Sequence, residues 1–222
     1  MMNLNYYKNF ILQVILIIFG LLLNQKPSLG KPLQNWRMQL PVKTEDSPVA
    51  RRQQTLDRLL QLMQQRLLLQ HHVARWKWNH QSPIEAPQRE QELLKKLRQQ
   101  AIAYGLDPDT VSTFFQWQIQ AGKLLQIADF QTWQRQGIQS FEHVPDLNQV
   151  VRPSLDKLDT ELLSTLANLA PVAHPMIQHQ QLIQSRAQIV LRGDGIDNTV
   201  RRVVLAPLLE AVDKRETVSL LA

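Results

Sequence analysis

RLLLQHHVARWKWNHQSPIEAPQRE, residues 66–90, contains three cations around which the rest of the chain can be arranged. Arg66 and Lys77 are eleven residues apart in a helical stretch, and eleven steps of about 100° fall within about 20° of three full turns. Both side chains should therefore leave one helix face, roughly 16 Å apart along the axis. A second helix starting near Gln88, after a proline-marked turn, could bring Arg89 to the same face. Converging cations suit a small ligand with more than one carboxylate.

The first two cations belong to a long amphipathic helix predicted for residues 49–79. Its end is expected near Gln81, because the residue before Pro83 resists the α region. The apolar positions of this helix recur at intervals of three and four residues, as one buried face requires. They are Leu56, Leu59, Leu60, Met63, Leu67, Val73 and Ala74.

Two more helices are predicted directly after this turn. The second should run from residue 87 or 88 to Tyr104 and stop at Gly105. Its predicted buried stripe is Leu93, Leu94, Leu97 and Ile102. The third should begin with Asp107 as its N-cap and Pro108 at its first helical position, and continue through Phe130.

The remaining sequence predicts a loop and three C-terminal helices. Residues 134–151 are expected to form the loop, and residues 153–170, 175–191 and about 196–214 the helices. No segment alternates convincingly with period two. The sequence therefore predicts an all-α fold of about six helices, with the first helix packed with the second and third around the site and the C-terminal helices buttressing them.

The N-terminal 30 residues have the layout of a cleavable signal peptide. A start with Lys8 and no acid precedes an apolar run from Phe10 to Leu23, and small residues follow up to Gly30. The run of about 14 residues is short for a bilayer span, so an uncleaved anchor or a buried helix is a weaker interpretation. The prediction is an exported, periplasmic or secreted protein without a stable membrane anchor after cleavage.

The rest of the chain divides by composition into a short tail and one domain. Residues 31–48 contain three prolines and no steady period, and are predicted to be a tail or linker. Residues 49–222 are predicted to form a single helical domain, with a catalytic core at about 49–133 and a C-terminal helical part at about 152–222.

Charge and cysteine content exclude several classes of function. Without residues 1–30 the chain keeps 23 Lys and Arg against 19 Asp and Glu, a net charge of +4 without any block of like charge. A nucleic-acid surface is not expected, because that footprint needs clustered cations. There is no Cys, hence no disulfide framework. The histidine pairs His71/His72 and His174/His179 lack metal-site spacing, so no metal site is predicted.

Three segments together resemble the secreted, periplasmic subclass of the all-helical chorismate mutases. They are VARWKW (73–78), PIEAPQRE (83–90) and GLDPDTVSTFFQWQIQAGKLLQ (105–126). The resemblance is good over about residues 56–130, thinner through PDLNQVVRPSLD (145–156) and weak beyond. It implies an intramolecular Claisen rearrangement of chorismate to prephenate, which needs no metal, cofactor, nucleophile or proton transfer. The substrate is a dianion whose ether bond breaks as a new C–C bond forms.

The resemblance also implies roles for six residues. Arg66 binds a carboxylate of the substrate. Lys77 contacts a carboxylate and the ether oxygen and is the principal electrostatic catalyst. Arg89 is a further catalytic and substrate-binding cation, and Glu90 accepts the substrate hydroxyl. Gln126 donates to the ether oxygen as a neutral amide at any pH. The sixth residue, Arg152, closes the site within one chain.

Two positions depart from the family pattern. Ala86 stands where an Asp is usual, although the main-chain contact could survive. Gly122 stands where a Ser, Thr or Asn usually donates to a carboxylate. One such hydrogen bond is worth about 1.5–3 kcal/mol, and water could take its place. The expectation is lower efficiency or altered affinity in a working site.

Other interpretations stay open at this stage. The same fold could catalyse elimination, as an isochorismate pyruvate lyase, or serve as a catalytically silent helical binding module of the periplasm. Without the resemblance, Arg66 and Lys77 would be assigned to a solvated helix face, where most charged residues lie. A single-chain site removes the need for subunit sharing, but long amphipathic helices favour a homodimer.

Overall fold

The computed structural model describes residues 48–169 and 176–219, with side chains for 49–169 and 180–209. The predicted signal peptide, and the predicted tail up to residue 47, lie outside these ranges. The described part contains six α-helices and no strand: α1 Pro48–Asn79, α2 Pro87–Ala103, α3 Pro108–Gln136, α4 Arg152–Leu169, α5 Met176–Val190 and α6 Asn198–Ser219. The predicted all-α fold is confirmed. None of these helices is long and apolar enough to cross a membrane.

Helices α1 and α3 form the centre of the structure. α1 packs against α3, α4 and α5, while α3 also packs against α2 and α6. The predicted apolar face of α1 is buried throughout, from Leu56 to Ala74. Its part from Leu56 to Leu67 meets Phe115 and Leu125 of α3 and the apolar side of α4 in one core. Val73 packs with Leu147 and Val151 in a second, smaller cluster. The C-terminal helices therefore do buttress the first three.

The start of α3 and the end of α2 follow the predicted local chemistry. The Asp107 carboxylate accepts a hydrogen bond from the Thr110 backbone N–H at 2.7 Å, which satisfies one of the free donors of the helix start. Gly105, just after α2, has φ +66°, a left-handed conformation that glycine adopts without strain.

Two sequence predictions about the helices are wrong in detail. Ile102 was expected in the buried stripe of α2 but is 70% exposed, and its neighbour Ala101 is buried instead. The predicted loop at 134–151 is partly helical, because α3 extends to Gln136 and Leu147–Val151 form a π turn before α4. In this turn the N–H of Val151 bonds to the carbonyl of Asp146 at 3.1 Å, five residues back.

Candidate active site

All six residues expected at the site line one cavity between α1, α2, α3 and the start of α4. They are Arg66, Lys77, Arg89, Glu90, Gln126 and Arg152. The cavity has a volume of about 120 Å³. The two α1 cations do share a face, and α2 brings Arg89 to it.

Arg66 lies at the buried end of the cavity and is held by α4. Its Nε donates to Asp159 Oδ1 at 2.8 Å, and both side chains are only 4% exposed. The Nη1 of Arg66 is buried without a hydrogen-bond partner. Buried polar groups are usually paired, so this N–H is a candidate donor to a bound ligand.

Lys77 lies in the same cavity, 9% exposed. Its Nζ donates to the Ile84 carbonyl at 2.6 Å, which uses one of its three donors. Burial lowers the pKa of Lys77; Glu90 raises it and the cations Lys123 and Arg152 lower it. The surrounding positive charge would be offset by a bound dianion.

Arg89 and Arg152 lie at the more exposed side of the cavity. Arg89 Nη2 is 3.7 Å from Asp156 Oδ1, with more than a third of each side chain exposed. Arg152 begins α4 directly after the π turn, and its Nη1 donates to Asn148 Oδ1 within that turn. A neutral amide leaves the guanidinium charge uncompensated, so Arg152 keeps its attraction for an anion.

Glu90 is paired with a cation that the sequence reasoning missed, Lys123 of α3. Lys123 Nζ lies 2.9 Å from Glu90 Oε2 and also bonds Glu85. Burial alone would lower the pKa of Lys123, but hydrogen bonds to Glu85 and Glu90 outweigh it and raise the pKa. The other Glu90 oxygen accepts from the Ala86 N–H at 3.1 Å.

Gln126 is 5% exposed and is held by a second amide, Gln70 of α1. The Nε2 of Gln126 donates to Gln70 Oε1 at 2.8 Å. The Gln70 side chain lies against Gly122, where an added Cβ would be 2.9 Å from Gln70 Cγ. The space expected to admit water at position 122 is therefore filled by Gln70.

A second cavity, of about 530 Å³, lies near the end of α1 and borders on Lys77. Its other lining residues are Trp78, Phe130, Ile138 and further apolar or neutral polar residues. It is the larger of the two but contains a single cation, so it suits a dianion less well than the smaller cavity.

Two other side chains that could bind a metal, His71 and Asp197, make structural contacts. In the described residues no group of three or more His, Cys, Asp or Glu side chains could hold a metal ion. His71 Nδ1 is 2.7 Å from Asp129 Oδ2, and Asp197 caps α6 by accepting from the Val200 N–H at 2.9 Å. His174, and the side chain of His179, lie outside the described part.

Comparison with known proteins gives the family and the fold. The family model of type II chorismate mutases matches residues 54–127. The chorismate mutase of Burkholderia thailandensis is 35% identical, with a TM-score of 0.60 over 68% of this chain and 97% of that one. The chain belongs to the chorismate mutase family. A second structure, the chorismate mutase of Burkholderia phymatum, is 26% identical with a TM-score of 0.63, over 70% of this chain and 96% of that one.

The "Secreted chorismate mutase" of Mycobacterium tuberculosis is 32% identical over 121 residues. The matched part is 54% of this chain and 60% of that protein, so the chain spans less than two thirds of this relative. The family model covers the segment from α1 to Gln126 and thus leaves out Arg152 and Asp159.

Within the chorismate mutase family, the two departures have different surroundings in this structure. At Ala86, the N-cap position of α2 has no side-chain cap, and the Glu90 carboxylate binds the free N–H instead. At Gly122, Gln70 covers the gap. Lys123 could have been found from the sequence, since it lies three residues before Gln126 and so shares its helix face.

Proposed function

We propose that this chain is an exported chorismate mutase that converts chorismate to prephenate. The observation that carries the proposal is the convergence of four cations, Arg66, Lys77, Arg89 and Arg152, with the Gln126 amide on one cavity. Guanidinium and ammonium groups bind carboxylates by charge-assisted hydrogen bonds. With Lys123, five cations line the cavity against three acids, Glu90, Asp156 and Asp159. The excess of two positive charges matches the two carboxylates of the substrate.

Substrate folding is the first contribution expected of the site. In the reacting conformer the side chain of chorismate lies over its ring, and cations at separate points of the cavity can fix both carboxylates in that geometry. Arg66 offers its free Nη1 from the buried end, and Arg89 and Arg152 approach from the exposed side. Holding reacting atoms in a near-attack geometry removes an entropic part of the barrier.

Stabilisation of the ether oxygen is the second contribution. Negative charge grows on this oxygen as the bond breaks, and donors already aimed at it favour the transition state over the ground state. Lys77 has two N–H groups left after its bond to Ile84, and Gln126 has one left after its bond to Gln70. These two side chains are our candidates for that role.

Glu90 can accept a hydrogen bond from the substrate hydroxyl while it stays paired with Lys123. Its carboxylate already accepts from the Ala86 N–H and from Lys123. Two carboxylate oxygens offer about four acceptor positions, so capacity remains for a third donor. The pair with Lys123 also prevents an uncompensated negative charge near the anionic substrate.

The test is incubation of the purified chain with chorismate, following the loss of its absorbance and identifying the product. Prephenate is expected, and Lys77→Ala should abolish most turnover. Lys95→Ala, which removes an exposed cation of α2, is the matched control and should keep full activity. Release of pyruvate would instead indicate a lyase, and no turnover by the wild type would indicate a binding module.

Export is part of the proposal and is supported by two observations. Residues 1–30 have the composition of a signal peptide, and the relative from Mycobacterium tuberculosis is named as secreted. Fractionation of bacteria that express the full chain tests it. We expect periplasmic or secreted protein that begins after Gly30, and recovery of full-length protein in the cytoplasm would contradict export.

The homodimer stays a prediction that the site itself does not require, since the six expected residues line the cavity from one chain. The length and amphipathic pattern of α1 support it. Sedimentation equilibrium gives the mass directly, and a monomer mass across micromolar concentrations would contradict the prediction.

A further inference from the structure

Gln70 occupies a position where its side chain contacts two parts of the site at once. It is 7% exposed and lines the cavity. Its Oε1 accepts from Gln126 Nε2 at 2.8 Å, and its own Nε2 donates to the Arg66 carbonyl at 3.3 Å. One amide thus connects the α1 backbone beside Arg66 to the α3 side chain expected to meet the ether oxygen.

The packing of Gln70 depends on the absence of a side chain at Gly122. A Cβ built there would lie 2.9 Å from Gln70 Cγ and 3.0 Å from its Cδ, closer than atoms of a packed interior approach. Any larger residue at position 122 therefore has to shift the Gln70 side chain, whose Oε1 is only 3.2 Å from the same point.

We propose that Gln70 is a positioning residue for Gln126, and that Gly122 provides the space it needs. The bond from Gln126 Nε2 to Gln70 Oε1 fixes which end of the Gln126 amide carries its hydrogens beside the cavity. With one N–H held by Gln70, the second N–H remains for the ligand, while Gln126 Oε1 is buried without a hydrogen-bond partner. The inference rests on the proposed function for its catalytic consequence, whereas the hydrogen bond itself can be observed without turnover.

The chemical consequence follows from the two ends of an amide. If the side-chain amide of Gln126 rotated by 180°, its carbonyl oxygen would face the ether oxygen. Two acceptors repel each other, the more so as negative charge grows on the ether oxygen. Gln70 prevents this, because its Oε1 can pair only with the donor end of Gln126. The effect is specific to the transition state, so it should change kcat more than KM.

The test uses Gln70→Met, which keeps side-chain length and removes the acceptor, and Gln70→Ala. We expect Gln70→Met to lower kcat about tenfold with little change in KM, and to have no further effect in a Gln126→Ala background. Gly122→Ala should cause a similar loss in the wild type but little in Gln70→Ala, where the space is empty. An equal loss from Gln70→Met with and without Gln126 would overturn the inference.

A second readout separates this inference from the proposed function. The side-chain amide resonances of Gln126 in ¹⁵N NMR spectra should shift in Gln70→Met and Gly122→Ala even if the chain does not convert chorismate. Gln118→Met is the control, since Gln118 is a fully buried glutamine of α3 that does not line the cavity. Unchanged Gln126 resonances in Gln70→Met would refute the positioning role whatever the activity.

Discussion

The buried ion pair between Arg66 and Asp159 predicts that stability and activity can be separated. Arg66 Nε and Asp159 Oδ1 are 2.8 Å apart, and each side chain is 4% exposed. Removing one partner of such a pair leaves an unpaired buried charge and costs about 3–5 kcal/mol. Asp159→Leu should therefore lower the free energy of unfolding by that amount, which at about 2–4 °C per kcal/mol lowers Tm by about 6–20 °C.

The double variant Arg66→Met/Asp159→Leu replaces both charges with apolar groups. Such replacements are often neutral or stabilising by about 1–4 kcal/mol, so its stability should return to the wild-type level or exceed it. Its chorismate turnover should nevertheless be lost, because the buried end of the cavity then has no cation. Urea unfolding followed by circular dichroism gives the stabilities, and the absorbance assay gives the turnover.

A matched surface pair joins the same two helices and serves as the control. Arg58 of α1 and Glu161 of α4 form an ion pair that is 48% and 35% exposed, and exposed pairs contribute about 0–1 kcal/mol. Arg58→Met/Glu161→Leu should keep both stability and turnover. The reasoning is refuted if the buried double variant stays as unstable as Asp159→Leu, or if it is stable and fully active.

Three further predictions concern single groups. Lys77→Ala should lower kcat/KM by about 100-fold or more, as loss of one preorganised donor does, and wild-type activity should fall with rising pH below the ordinary lysine range, because burial lowers the pKa of Lys77. Gln126→Glu should be active only at low pH, where the carboxyl is protonated and can donate; an unchanged pH–rate profile would contradict the role of Gln126. The hydrogen bond with Asp129 raises the pKa of His71, so its stabilising contribution is complete below about pH 6.5 and is lost as pH rises through the raised value. His71→Gln should thus lower the free energy of unfolding by about 1.5–3 kcal/mol just below pH 6.5 and by less at pH 9. Equal losses in urea unfolding at these two pH values would contradict the predicted pH dependence.

The helices could be predicted where local chemistry determines them. The Asp107–Pro108 start of α3 and the apolar face of α1 both follow from short-range rules of capping and periodicity. Ile102 was misassigned because its neighbour Ala101 fits the same period, and only the packing of α2 on α3 decides between them. The π turn before Arg152 was missed because its five-residue hydrogen bonds have no distinctive residue pattern.

The site could be predicted only in part for a similar reason. The cations of α1 and α2 follow from helical spacing, but the contacts between Gln70 and Gly122 depend on which faces of α1 and α3 meet. Periodicity of a single helix does not contain that information. The pairing of Asp159 with Arg66 could likewise not be predicted, since the two residues are 93 positions apart and Asp159 lies where the resemblance is weak.

The π turn at Leu147–Val151 also determines where homologues can differ in length without disturbing Arg152. A residue added between Asn148 and Arg152, the first residue of α4, turns the Asn148 amide by about 100° away from the guanidinium that it orients. Single-residue insertions between Gly137 and Pro145 would leave that orientation intact, because this connection has no helical register to transmit. Homologues of different length should therefore be aligned backwards from α4, with their gaps placed ahead of Asp146, if their closing arginines are to be matched correctly.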